Sequence, residues 1–279
     1  MIYGFCSHPT LPKFLFGSFT DIIAITSVLT ANVTLNGVNI NSVAGPAFTA
    51  TSATINLALA GENVLRGGKN SAGIYSGYNC LLTVDAVSGT GGSLDAFGGD
   101  YSSGIGASRS QYYGNLVING GKVNARGGMG AAGIGGSYQY SGKSIAINGG
   151  LVRAQGGTGA PGIGHGAYAV LGLASTVRIA GGVVTALPGS GAHAIGNSTG
   201  ATVSISGSIN GDALVFADSI HENIALTRGV VYQDYLGTFM VTPSPSPRTR
   251  SCPRAASSSC RRAKPWRSCM ARRSPTREP

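Results

Sequence analysis

The chain has 279 residues, 45 of them glycine, with 7% aromatic and 11% charged residues and a formal net charge of +10. Glycine without a G-X-Y period excludes collagen, and a hydrophobic fraction of 42% is too high for a disordered glycine-rich segment. Residues 1–242 hold ten Lys and Arg against nine Asp and Glu, whereas 243–279 hold ten against Glu278 alone, so the body is near neutral and has no electrostatic footprint for nucleic acid.

Residues 1–20 read as an N-terminal segment, a truncated start to the domain. The stretch 14–31 is moderately apolar but carries Asp21 and several Ser and Thr, and only Lys13 precedes it, so it lacks the layout of a signal peptide and reads as strand material. No run of 18 uncharged apolar residues occurs, so no transmembrane helix or membrane insertion is expected. Residues 31–82 alternate in A-N-V-T-L-N-G-V-N-I and A-T-I-N-L-A-L, then carry glycine corners and Ile74, the pattern of irregular coils.

From there a unit recurs. S-L-D-A-F-G-G (93–99), K-V-N-A-R-G-G (122–128), L-V-R-A-Q-G-G (151–157) and V-V-T-A-L-P-G (183–189) each come after a Gly-Gly pair. Those pairs begin at 91, 120, 149 and 181, in steps of 29, 29 and 32. Each unit precedes an isoleucine among small residues: Ile105, Ile134, Ile163 and Ile195. Two markers with one period predict an all-β parallel β-solenoid, a right-handed β-helix of about 29 residues per coil, over 21–240. Within each unit Leu94, Val123, Val152 and Val184 form one inward column, and Ala96, Ala125, Ala154 and Ala186 the next. A single coil cannot bury these side chains alone, so stacking supplies the core. Alanine at a repeated inward position implies a narrow interior.

Residues 241–279 read as a Pro/Ser linker, Pro243 to Pro247, followed by a basic disordered tail with Trp266, the chain's one tryptophan. That tail is either an arm touching anionic polymers or an out-of-frame extension. Cys6 and Cys80 lie in the body, and Cys252, Cys260 and Cys269 in the tail. The odd count and the absence of zinc spacing argue against a disulfide framework or a Cys metal site.

Candidate chemistry is sparse. No Asp or Glu occurs between Tyr101 and Gly211, so the regular coils cannot supply the carboxylate pair that glycoside hydrolysis needs, and a non-enzyme is expected. Asp85, Asp95 and Asp100 could bind one Ca²⁺ but read better as solvated turn residues, so no cofactor is assigned beyond that option. His165 and His193 sit two residues after and two before their isoleucines with no further ligand in register; they read as ordinary corner residues, and no metal site is expected. The positive feature is aromatic. Tyr75, Tyr78, Tyr112, Tyr113, Tyr138, Tyr140 and Tyr168 come after the marker isoleucine in four successive coils, seven of the eleven tyrosines. They should line one edge, either stacking on sugar faces or capping the core.

The I-N-G-G-x-V-x-A-x-G-G-x-x-x-A-G-I-G-G unit at 118–136 and 147–164 resembles the repeats of clostridial cell-surface proteins, of the carbohydrate-binding β-helix family described for cellulose- and pectin-binding proteins. The similarity covers roughly 31–207. It implies a right-handed β-helix, secretion to the cell surface, bound calcium, and a polysaccharide partner such as pectin or cellulose. The expected protein is a monomeric, non-catalytic carbohydrate-binding module. The alternatives are a structural stalk or adhesin repeat of a bacterial surface protein, and a polysaccharide lyase or hydrolase, which the carboxylate gap disfavours.

Overall fold

A computed structural model describes residues 2–3, 13–19, 22–26, 30–198, 200–210, 212–227, 231–233 and 239–241. Among them there is no helix; every regular element is a strand. One coil comprises a short first strand, Ile105–Gly106, a second, Tyr113–Ile118, and a third, Lys122–Arg126. The next coil repeats this with Ile134–Gly135, Gly142–Ile147 and Leu151–Gln155. Successive coils pair in parallel and in register: Ile105 with Ile134, Leu116 with Ile145, Val123 with Val152 and Ala125 with Ala154. About seven coils stack this way as a parallel β-solenoid, at the 29-residue spacing the two sequence markers set.

The core arises from the alternation. Leu94, Val123, Val152, Val184 and the alanine column between them are all at most 1% exposed. The alanine column does not begin as alanine: in register it reads Ile40, Leu65, Ala96, Ala125, Ala154, Ala186 and Ala217. The interior therefore tapers from wide N-terminal coils, which also bury Phe48, Ile55, Leu57 and Leu59, to narrow regular ones. In the narrow coils, Gly106, Gly135, Gly164 and Gly196 succeed one another along the first-strand column with φ of 129° to 140°, a backbone open essentially to glycine. A Cβ on Gly135 would lie 2.1 Å from the Gly164 carbonyl oxygen, so the closeness of these coils itself requires glycine.

The wide coils have a different device. Thr30–Asn41 runs through two faces as one strand, turning at Gly37 (φ +67°). The polar groups near this corner are met by Asn63, which is 1% exposed. Its Oδ1 accepts from the Val38 amide (2.9 Å), and its Nδ2 donates to the carbonyls of Ala60 (3.1 Å) and Ser93 (2.9 Å). Outward-facing amides form shorter ladders, Asn56 to Asn32 and Asn148 to Asn119, at 2.8 and 2.9 Å.

At the N-terminal end the stack starts earlier than residue 21. Lys13–Phe19 pairs in parallel with 33–40, and Ile2 pairs with Ile23. These rungs lack the Gly-Gly pairs, and Ile2 and Ile23, although in the column of the marker isoleucines, are not set among small residues and fall at shorter spacing, which is why the period did not reveal them. After Ile195 the coils shorten, through Ile205–Ile209, Ala213–Ala217 and Ile224–Leu226 to Val231–Gln233, against which Phe239–Val241 folds back antiparallel. Of the linker and tail expected over 241–279, Val241 ends this last strand and 242–279 lie outside the described residues.

Candidate functional site

The first strand is the tip of a narrow backbone loop. The Ser103 amide donates to the Ala107 carbonyl, and the same bond recurs from Ala132 to Gly136 and from His193 to Asn197. Segments before and after each marker isoleucine therefore run side by side. The segment after it also bonds to the previous coil's segment before it: Arg109 to Asn70, Tyr138 to Tyr101 and Ala167 to Gly130, amide to carbonyl in each case. This crossing decides where the tyrosines go.

They form two ladders rather than the single expected line. Tyr78, Tyr112 and Tyr140 make one, with ring centroids 6.1 and 5.0 Å apart, and the backbone bridge from Tyr140 to the exposed Leu171 extends it by a rung. Tyr101, Tyr138 and Tyr168 make the other, at 5.3 and 6.0 Å. All four contacts are edge-to-face, with interplanar angles of 63° to 68°, the arrangement aromatic quadrupoles favour. Cations sit at the ladder ends: the Lys143 ammonium 4.1 Å from the Tyr78 ring centre, and the Arg109 guanidinium 4.8 Å from that of Tyr101. Tyr112 and Tyr168 are 36% and 49% exposed; Tyr101, Tyr138 and Tyr140 are half-buried. Tyr75 is half-buried, with its hydroxyl donating to Gln111 Oε1 at 3.0 Å.

Tyr113 does not belong to the edge. It opens the second strand and is fully buried, its ring in the space a side chain at Gly142 would fill, and its hydroxyl donates to Ser175 Oγ at 3.2 Å. Burial raises its pKa to about 12. A ring so enclosed cannot meet a sugar, so Tyr113 leaves the set of candidate binding residues. Tyr101 enters it. It precedes its isoleucine, so counting residues after the marker missed it; the backbone column four residues before the isoleucine is the signal that would have found it.

That column reads Asn70, Tyr101, Gly130, Gly159 and Gly191, all with φ between 59° and 77°. A second left-handed column, five residues after the isoleucine, reads Ser110, Gln139, Tyr168 and Gly200. Tyr101 (φ +60°) and Tyr168 (φ +54°) thus hold bulky side chains at positions that the next coil gives to glycine, Gly130 and Gly200, at a cost of roughly 1–2 kcal/mol each. Both belong to the same ladder. Beside it runs an open groove of about 580 Å³ lined by Phe97, Arg126, Met129, Gln155 and Pro188; the Met129 carbonyl accepts the Tyr101 amide.

Asp85, Asp95 and Asp100 do not converge. Asp85 accepts from the Ala86 amide, Asp95 from Asn124 Nδ2 at 3.0 Å, and Asp100 lies in the turn after that strand. Among the described residues, the one group of three or more metal-capable side chains is His193, His221 and Glu222. The His193 and His221 rings meet at 5.2 Å, and His165 is fully buried with no hydrogen bond to either ring nitrogen. Burial, reinforced by the field of His221, lowers the His165 pKa to about 4; Asn197 opposes this weakly from nearby without a bond of normal geometry. Burial likewise lowers His193, with His221 adding to it and Glu222 and Asp218 opposing. Spacings of 28 residues from His165 to His193 and again to His221, close to one coil, were the legible signal.

No protein-family model, curated protein or solved structure matches the chain significantly.

Proposed function

We propose that the protein is a non-catalytic carbohydrate-binding β-solenoid that holds a polysaccharide along its tyrosine edge. The observation that carries this reading is the strained pair Tyr101 and Tyr168, rings retained on glycine-type backbone at both ends of one ladder. A packing role alone gives little reason to accept that strain, because the next coil uses glycine at the same position in each column, Gly130 and Gly200. Phenolic rings offer apolar faces to sugar C–H groups and hydroxyls to sugar oxygens, and rings repeating every 5 to 6 Å suit a linear polymer better than one small ligand. The open groove beside the ladder gives such a polymer a bed.

Affinity electrophoresis of the full chain through gels containing hydroxyethylcellulose, xylan or pectin tests this. Retardation by a neutral polymer is expected, which the basic tail cannot cause. It should disappear in a Tyr112→Ala/Tyr138→Ala/Tyr140→Ala/Tyr168→Gly chain whose melting and circular dichroism match wild type. Equal mobility with and without every polymer would overturn the reading and leave the solenoid as a structural spacer.

A further inference from the structure

We infer that the C-terminal coils carry a Zn²⁺ site formed by His193, His221 and Glu222, with His165 and Asn197 beneath it. The three ligating groups offer nitrogen and carboxylate atoms that all lie within 4.8 Å of one another. Two imidazoles and a carboxylate are an established zinc donor set that leaves a fourth position for water or substrate. Tetrahedral zinc with bonds of about 2.0–2.2 Å brings its ligands to about 3.3 Å from each other, so closure needs a movement of about 1.5 Å. The exposed Glu222 side chain can make that movement.

The backbone places these groups. His221 takes the next position in the first-strand column after Gly106, Gly135, Gly164 and Gly196; its Cβ lies where a Cβ on Gly196 would clash, and its amide bonds to the Ile195 carbonyl. The four glycines are buried, each coil packed closely on the next, and His221 is the first residue after them in this column to carry a side chain. His193 reaches it from the other limb of the narrow loop closed by its bond to Asn197. Together with Asn197 and Ser198 they line a depression of about 500 Å³.

A second, independent observation points to a guest. His165 is fully buried, both its ring nitrogens lack partners, and the buried Oδ1 of Asn197 lacks one too. The His165 amide bonds to the Gly196 carbonyl, directly under the site. Buried polar atoms without partners cost about 1–3 kcal/mol each, and a bound cation, with the water it carries, would engage them. His221 Nδ1 accepts the Asn223 amide at 3.2 Å, which leaves Nε2 as the ligand nitrogen; binding there moves the proton to Nδ1 and releases that amide bond.

The test uses the untagged full chain with accessible thiols alkylated, so that the tail cysteines cannot compete. Equilibrium dialysis against micromolar ZnCl₂ should load a single histidine-dependent equivalent and raise the melting temperature. His193→Ala/His221→Ala should abolish both effects. Because that double variant could fold poorly, Glu222→Gln at an exposed position provides a second reading, with affinity expected to fall by about tenfold or more. Zinc uptake equal in wild type and either variant, or no uptake by wild type, would overturn the proposal.

Discussion

The N-terminal coils, at about 25 residues each, and the regular coils, at about 29, share one topology but fill their interiors in opposite ways. Coils built from 30–86 place Ile40, Leu65, Phe48, Ile55 and Leu57 inside and use a buried asparagine beside the corner at Gly37. Coils from 93 to 196 put alanine in the same column and draw their backbones together through glycine. The first kind is held by side-chain volume, the second by close approach of the main chain. Narrow coils of small residues also have little use for aromatic side chains indoors. Most of their tyrosines stand on the edge, while Tyr113 lies inside only because Gly142 makes room.

This contrast can be broken by exchange. Leu65→Ala should cost about 2–5 kcal/mol in a denaturant melt, because a wide coil cannot collapse onto the void; a loss below about 1 kcal/mol would mean volume is not what holds these coils. Gly135→Ala should cost about 3 kcal/mol, combining a forbidden φ with a backbone clash. The N-terminal counterpart in that column, Tyr75, pairs with Gly106 and has no such backbone, so Tyr75→Ala should cost about 1 kcal/mol.

Acid should separate the two regions. His165 has its folded-state pKa lowered from 6.5 to about 4, so the unfolded chain binds a proton the folded chain refuses, and stability is present above pH 6.5 and lost as the pH falls toward 4. With chelator present the loss is about 3 kcal/mol at most, and hydrogen exchange should show residues 163–224 losing protection while 30–86, which contain no histidine, keep it. Uniform loss along the chain would remove His165 as the cause. Ala125→Leu and Ala154→Leu should each cost about 1–3 kcal/mol by overpacking, and wild-type stability for both would contradict the narrow core. The smallest effect belongs to Tyr101→Gly, within about 1 kcal/mol of wild type, because relief of the left-handed backbone offsets the lost ring contacts.

The period, the parallel stacking and the two inward columns were legible because Gly-Gly pairs and isoleucines repeat with little slippage. The edge was legible only in part. Sequence order put Tyr112 and Tyr113 side by side, but Tyr112 precedes the strand and is exposed, whereas Tyr113 opens it and, out of step with the inward Leu116 and Ile118, is buried in the space that Gly142 leaves. Tyr101 escaped because the narrow loop brings together residues on either side of Ile105 that a count in one direction separates. The histidine cluster was obscured by unequal coils: 32 residues separate Ile163 from Ile195 and 25 separate Ile195 from Ile220, so His165, His193 and His221 fall at different offsets from their isoleucines. Only the stacked backbone brings those offsets to one place.

The strand Phe239–Val241 runs opposite to every rung before it. A stack of parallel coils presents at its end an open row of amides and carbonyls, ready to template another copy laid head to tail. A reversed final rung offers the wrong polarity for the first coil of such a copy. Among the described residues, this change of chain direction is what interrupts the parallel stack at this end.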